Sequence, residues 1–280
     1  MMEVKNTFSY CNQLISDFEQ TISTPKKNHT TTYYTGVDLG TSCIVLSVLD
    51  VNHQPVAGAY RYASVVKDGM VVDYLGAIQI VRELKEQLEE QLNAELTYCA
   101  AAIPPGTELL DGGVIRHVVE AAGFELTALL DEPTAANAVL KIENGVIVDI
   151  GGGTTGIAVI ENGKVISVND QATGGTHFTL VVSGAYKISF EEADQYKRNE
   201  AHHQELLPIL TPVIEKVSSI ISEYIAQHQV HQIYLVGGTC CLTNIETIIE
   251  KKTGITTYKP DSPMFVTPLG IALNCTDQVL

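Results

Sequence analysis

From residue 33 onward, apolar and polar positions fall into short runs that alternate between two periods. Tyr33–Asp38, Ser42–Asp50 and Val56–Tyr62 read as strands, with a turn at Val51–Pro55. Leu75, Ile78, Val81, Leu84, Leu88 and Leu92 recur at helical spacing, which predicts a helix over Tyr74–Leu92 with one apolar face. Strand Thr97–Ile103, helix Gly113–Ala122, strand Glu125–Leu130 and helix Pro133–Leu140 complete the order βββαβαβα. After Asn144 the pattern begins again. Val146–Ile150, Thr155–Ile160 and Lys164–Gln171 are strands, with the turn Glu161–Asn162–Gly163 between the last two. Helices follow near Gly174–Ser183, Ser189–Arg198 and Leu206–Gln227. Strand Ile233–Val236, helix Leu242–Lys251, short strand Thr256–Tyr258 and helix Thr267–Asn274 close the pattern. Ahead of this body, Phe8, Leu14, Ile15, Phe18 and Ile22 suit a short amphipathic helix, and Thr24 to Thr32 reads as a linker. That helix has two readings, packing on the body or docking to a partner.

Composition narrows the function classes. The 280 residues include 17 Lys+Arg and 33 Asp+Glu, a formal net charge of −16. Phosphate-backbone binding needs clustered cations, so this acidity argues against nucleic acid and anionic membrane surfaces. No apolar run reaches the roughly 18 residues of a membrane helix, and no basic start leads into an apolar stretch. Cys11, Cys43, Cys99, Cys240, Cys241 and Cys275 form no CxxC pair, which fits reduced thiols in the cytoplasm.

The repeat recurs in the residues that carry chemistry. Val37-Asp38-Leu39-Gly40-Thr41-Ser42 is echoed by Val148-Asp149-Ile150-Gly151-Gly152-Gly153-Thr154-Thr155. Each segment runs strand, Asp, glycine turn, hydroxyl residue, strand. Glycine lets backbone approach a ligand closely, and the hydroxyl and amide donors suit anionic oxygens. A carboxylate beside phosphate makes sense with a cation between them, and hydrated Mg²⁺ is the usual one. A single Asp-x-Gly turn is an ordinary turn, whereas two in matching places predict a nucleotide-phosphate clamp. Two copies of one α/β unit are expected to pack face to face, with the ligand at their interface.

Two further glycine turns stand out. Gly237-Gly238-Thr239 follows a strand and is expected to open a helix. Gly174-Gly175-Thr176-His177 could place His177 as a base or, the plainer reading, as a local hydrogen-bonding residue. Between the copies, Asp131-Glu132-Pro133-Thr134 suits a helix start. Its functional reading puts Glu132 at the ligand, orienting a water for attack on a γ-phosphate. His202-His203 and His228/His231 read as solvated loop histidines, since no Cys, Asp or Glu cluster completes a metal set. Cys240-Cys241 reads as packing, with oxidation sensitivity as the alternative. The acids of Glu83–Glu95 read as a solvated face.

VDLGTS, DEPTAA, DIGGGTTGIAV, YLVGGT and TPLGIAL occur in that order across residues 36–273. They resemble the two phosphate motifs, two connecting motifs and adenosine motif of the actin-like ATPase superfamily, which includes sugar kinases, actin, DnaK-type chaperones, MreB and FtsA. The stretch Lys67–Asp73 resembles an MreB segment, and GGTH resembles its FtsA counterpart. ISFEEADQYKR, VVKDGMVVDY, IPPGT and ATGG-x-H extend the resemblance to the ethanolamine-utilisation protein J (EutJ) family over nearly the whole chain. The fold implied is α/β and actin-like, with two ribonuclease-H-like βββαβαβα lobes and a nucleotide cleft between them. Residues 1–30 would be the N-terminal helix and linker, 31–144 lobe I completed by 262–280, and 145–261 lobe II.

The same resemblance implies ATP or ADP with Mg as ligands, and Asp38 and Asp149 as the magnesium pair, acting through water. It implies phosphate contacts from Gly40, Thr41, Ser42, Gly151, Gly152, Gly153, Thr154 and Thr155. Nucleoside contacts would come from Gly174, Gly175, Asp194, Lys197, Gly237, Gly238 and Thr239, with Asp38, Glu132 and Asp149 as the catalytic set. The implied role is a chaperone-like switch in ethanolamine utilisation, cytoplasmic or associated with a bacterial microcompartment. Its partner would be a pathway enzyme or a microcompartment protein. Two departures bear on activity. No peptide-binding domain is expected after the last connecting helix. The phosphate-contacting lysine of DnaK-type proteins has no counterpart fixed by spacing, with Lys67 and Lys85 as candidates. The expectation is therefore a weak ATPase. A nucleotide-dependent polymer, a reactivating factor for a cobalamin-dependent lyase, and a small-molecule kinase are the alternatives.

Overall fold

The computed structural model describes residues 2–27, 32–67, 69–103 and 112–280, with the side chains of 2–7 excepted. The chain forms two compact units, Met1–Lys141 with Phe265–Leu280, and Ile142–Met264. Asp68, residues 28–31 of the linker and 104–107 of the IPPGT stretch lie outside the described residues.

In unit 1, strands β1 (Tyr34–Leu39), β2 (Cys43–Leu49), β3 (Pro55–Tyr62), β6 (Tyr98–Ile103) and β7 (Glu125–Asp131) form one sheet in the order β3-β2-β1-β6-β7. β1 pairs antiparallel with β2 and parallel with β6, and β6 pairs parallel with β7. Successive side chains point to opposite faces of a strand, and β6 shows this directly. Cys99, Ala101 and Ile103 pack with helices α2 (Tyr74–Leu92) and α3 (Gly112–Ala121). Ala100 and Ala102 pack with Ala135 of α4 (Glu132–Leu140) and Ile271 of α9 (Val266–Leu273). Small residues let α9 come in close. A Cβ on Gly36 would lie 2.6 Å from Ala272 N and Pro268 O, and the Ser47 hydroxyl donates to Pro268 O at 2.7 Å. Between β3 and α2, two-residue strands β4 (Val66–Lys67) and β5 (Met70–Val71) form a hairpin.

Helix α1 (Met2–Ser23) packs on unit 1, which decides between the two readings of the N-terminal segment. Cys11, Leu14, Ile15 and Phe18 are buried. The Phe18 ring occupies the space left by the missing side chain of Gly58 on β3 and meets Phe265 edge-on at 5.2 Å. Beyond the helix, Lys26 N–H donates to Val56 O at 2.7 Å, so the chain runs on beside β3.

Unit 2 repeats the arrangement. Strands β8 (Gly145–Ile150), β9 (Thr155–Glu161), β10 (Lys164–Gln171), β11 (Gln232–Val236) and β12 (Thr256–Tyr258) take the order β10-β9-β8-β11-β12. As in unit 1, the first three are antiparallel and the last two join in parallel. Val146, Val148 and Ile150 pack against Leu206, Leu210, Ile214, Val217 and Ile221 of α7 (His203–Ile225) and Ile245 and Ile249 of α8 (Ile245–Thr253). Helices α5 (Gly175–Tyr186) and α6 (Phe190–Arg198) precede α7. One expectation is corrected here. The Gly237-Gly238-Thr239 turn opens a short 3₁₀ turn, Gly238–Cys241, and α8 starts only at Ile245. Asn244 in the left-handed region (φ 66°) separates the two.

Candidate functional site

Unit 1 holds the first hairpin. Asp38 is the penultimate residue of β1, half-buried and opposite Val45 of β2. Gly40, Thr41 and Ser42 make the reversal into β2. A Cβ on Gly40 would lie 2.7 Å from Cys43 O, too close for any other residue in this turn. Thr41 is half-buried and Ser42 is exposed.

Unit 1 also holds the carboxylate pair at the start of α4. Asp131 is the N-cap: its carboxylate accepts from Thr134 N–H at 2.9 Å and from the Thr134 hydroxyl at 2.7 Å. Glu132 therefore sits at the first helical position, half-buried, with Pro133 next. Asp131→Ala is expected to destabilise unit 1 by about 1 kcal/mol, the usual value of an N-cap, as read by thermal unfolding. A change below ~0.3 kcal/mol would refute the capping role. The two lysine candidates differ in their surroundings. Lys85 is largely buried, pairs with Glu89 at 2.6 Å and lies 5.3 Å from the Phe124 ring centroid. Lys67 is exposed on β4, opposite Met70.

Unit 2 holds the second hairpin and the loops around it. Asp149, half-buried near the end of β8, leads into Gly151-Gly152-Gly153-Thr154 and then Thr155, the first residue of β9. Gly151 N–H closes the turn on Thr154 O at 3.0 Å. The start of α5 fastens onto this hairpin. Gly175 N–H donates to Gly151 O at 2.9 Å, while Thr176 N–H and its hydroxyl donate to Gly152 O at 2.8 and 3.0 Å. The Thr155 hydroxyl donates to Thr173 O. A Cβ on Gly174 would lie 2.8 Å from Gly153 C and Thr154 N, so the two loops touch through their backbones. His177 bonds locally, accepting from Gly174 N–H at 3.4 Å.

The Gly237-Gly238-Thr239 turn lies against the same hairpin. The Thr239 hydroxyl donates to Gly151 O at 2.7 Å. Gly237 has φ 92°, and a Cβ there would overlap Asp149 Oδ1 and lie 2.7 Å from Ile150 O. Gly238 is exposed, with open space where a side chain would project. Of this turn, Gly238 is the most exposed residue.

Lys197 and Asp194 are half-buried and tied to each other and to α5. An ammonium group has three protons to donate. That of Lys197 meets Gly175 O at 3.0 Å, the Thr179 hydroxyl at 2.6 Å and Asp194 Oδ1 at 3.0 Å. Burial pulls the Lys197 ammonium below its ordinary range, against the opposing pull of Asp194. Asp194 also pairs with Arg198 at 3.3 Å.

Two histidines differ from the solvated pair expected. His202 stacks on the Tyr196 ring at 3.6 Å. His203 is buried at the start of α7, its Nε2 3.0 Å from Lys197 O and its Nδ1 3.0 Å from Thr243 Oγ1. Cys240 is fully buried, and burial followed by the Asp149 charge pushes its thiol well up, so it is held as a neutral packing group. Among the described residues, no group of three or more His, Cys, Asp and Glu could hold a metal ion by itself.

The comparisons with known proteins agree with this architecture. The ethanolamine utilization protein EutJ of Salmonella typhimurium is 42% identical over 243 residues, covering 86% of this chain and 85% of that protein. The chain belongs to the EutJ family. The crystal structure of EutJ from Carboxydothermus hydrogenoformans superimposes with a TM-score of 0.91 at 48% identity, covering 95% of this chain and 99% of that one. The family described as Type IV pilus assembly protein PilM matches residues 113–264. The structure of MreB5 of Spiroplasma citri bound to ADP gives a TM-score of 0.65 at 17% identity, over 87% of this chain and 96% of that one. At that identity the likeness shows the fold alone, and the fold is actin-like.

Proposed function

We propose that this EutJ-family chain binds Mg-ATP and hydrolyses it slowly, as a chaperone-like conformational switch in bacterial ethanolamine utilisation. The observation that carries the reading is the cradle of unit 2. Gly151 O takes both the Gly175 N–H and the Thr239 hydroxyl, which gathers three glycine turns beside one carboxylate, Asp149. Backbone packed this closely around a half-buried acid suits a hydrated cation and phosphate oxygens. Gly151–Thr155 would hold phosphate, Gly238 would face the nucleoside, and Asp149 would hold magnesium through water. Gly40–Ser42 and Asp38 repeat the build in unit 1. A bound Mg²⁺ would offset the charge of the phosphate oxygens. Glu132, at the first helical position after the capping Asp131, would orient the attacking water.

The EutJ name supports a partner in ethanolamine utilisation, an enzyme or microcompartment protein, met in the cytoplasm. MreB5, described as bound to ADP, supports nucleotide in this fold. The internal commitments of Lys85 support slow turnover. The test is calorimetric titration of ATP and ADP with magnesium, with phosphate release followed on the same sample. Binding of both with release well below one per second is expected. Absence of binding for both would withdraw the reading and every ligand contact assigned above.

A further inference from the structure

We propose that His203 is a positioning residue for the Gly237–Thr239 turn, acting through Thr243 and Lys197, so that protonating its imidazole loosens the turn and weakens Mg-nucleotide binding. The proposal rests on the nucleotide reading above and adds a pH-dependent control to it.

The turn is held at both ends. At one end the Thr239 hydroxyl donates to Gly151 O at 2.7 Å, tying it to the second hairpin. At the other, Thr243 N–H donates to His203 Nδ1 at 3.2 Å, with the Thr243 hydroxyl 3.0 Å from the same nitrogen. Between these points Cys240 N–H bonds to Gly237 O and Leu242 N–H to Thr239 O, at 3.1 and 3.2 Å, so a shift at Thr243 is carried back to the glycines. His203 Nε2–H donates to Lys197 O at 3.0 Å. The side chain of that lysine holds Gly175 O, the residue whose N–H holds Gly151 O. The imidazole thus closes a ring of hydrogen bonds through α6, the start of α5, the second hairpin and the Gly237 turn.

This ring requires the neutral imidazole with the proton on Nε2. The partners assign it: a carbonyl needs a donor, and a backbone N–H needs an acceptor. A second proton on Nδ1 would face the Thr243 N–H and break that bond. Burial, not the surrounding charge, favours the neutral form. Burial is the largest influence and lowers the His203 pKa, helped by Lys259 and His202 and opposed by the Lys197 carbonyl and Glu200. The Lys197 ammonium is paired with Asp194, and Lys259 is paired with Glu246 at 2.9 Å. His203 is therefore neutral at pH 7, and its contribution is lost as pH falls below the ordinary histidine range.

The test compares the wild-type chain with His203→Asn. Asparagine retains an acceptor for the Thr243 N–H and cannot be protonated. Mg-ADP affinity is measured by calorimetry at pH 7.5 and pH 5.0. The titration of ADP and of other protein groups is common to both chains, so the difference in their losses isolates His203. The expected result is a loss in the wild type at least about fivefold greater than in His203→Asn. Equal losses in the two folded chains would overturn the proposal. Should His203→Asn fail to fold, His203→Gln takes its place, again an acceptor that cannot be protonated. The same difference in losses is expected, and equal losses would overturn the proposal. Should neither variant fold, amide exchange of the wild type, described below, decides.

If the wild type binds no nucleotide, the reading of the site falls, and amide exchange then tests the pin by itself. Protection of the Thr243 amide, corrected for intrinsic exchange, is expected to drop between pH 7.5 and 5.0. Unchanged protection would overturn the proposal.

Discussion

Gly270→Ala is expected to destabilise unit 1 by about 3 kcal/mol or more, the upper end of overpacking costs. A Cβ on Gly270 of α9 would overlap the carbonyl oxygen of Ala135 in α4 and lie 2.5 Å from its carbonyl carbon. The obstacle is helix backbone, so no rotamer change relieves it, and α4 and α9 would have to separate. Both helices pack against Ala100 and Ala102 of β6, so separation opens the core on that side of the sheet. For a body of this size the cost corresponds to a drop in midpoint of at least about 6 °C. The chain has no Trp, so circular dichroism or calorimetry is the suitable probe. Gly184→Ala is the control. It lies in α5 with nothing within 4 Å of its missing Cβ, and the change is expected to be neutral or stabilising by up to ~1 kcal/mol. Equal midpoints for Gly270→Ala and the wild type would refute the close approach of α4 and α9.

Asp149→Asn is expected to lower magnesium-dependent nucleotide affinity by tenfold or more while leaving the fold intact. The substitution keeps shape and removes charge. Asp149 lies beneath Gly237, half-buried at the end of β8, where an isosteric amide fits. With magnesium present, the carboxylate attracts the hydrated cation. Without magnesium, the same carboxylate repels phosphate, so the variant should bind metal-free nucleotide as well as the wild type or better. Titrations with and without magnesium separate these effects, and circular dichroism checks the fold. Equal magnesium-dependent affinities in the two chains would remove Asp149 from the cation site.

Much of the fold was legible because period and punctuation agreed. β10 and β12 occupy the residues that the alternation predicts, and α2 spans the predicted Tyr74–Leu92. The β4–β5 hairpin was not legible as strands, since two residues per strand give no alternation to read. The delayed start of α8 depends on the left-handed Asn244, a conformation Asn adopts without announcing it in sequence. At the candidate site, the glycine turns were legible because glycine restricts what else a position can do. The parts played by Lys197 and His203 were not. Resemblance assigns Lys197 to the nucleoside, and its three internal acceptors come from α5 and α6 and appear only once those helices pack. His203 looked like one half of a polar pair, and the partner that explains it, Thr243, lies 40 residues away.

The division of the chain also sets an order of events during synthesis. Unit 2 is one continuous segment, Ile142–Met264, and every strand of its sheet has been made before α9 emerges from the ribosome. Unit 1 begins first and finishes last. Until Phe265–Leu280 is made, Gly36, Ser47 and the alanines of β6 have no α9 to cover them. A nascent chain halted just short of α9 should therefore carry a closed second unit behind an open first one. Bound chaperones and added protease would find their target in the half of the protein that left the ribosome earliest.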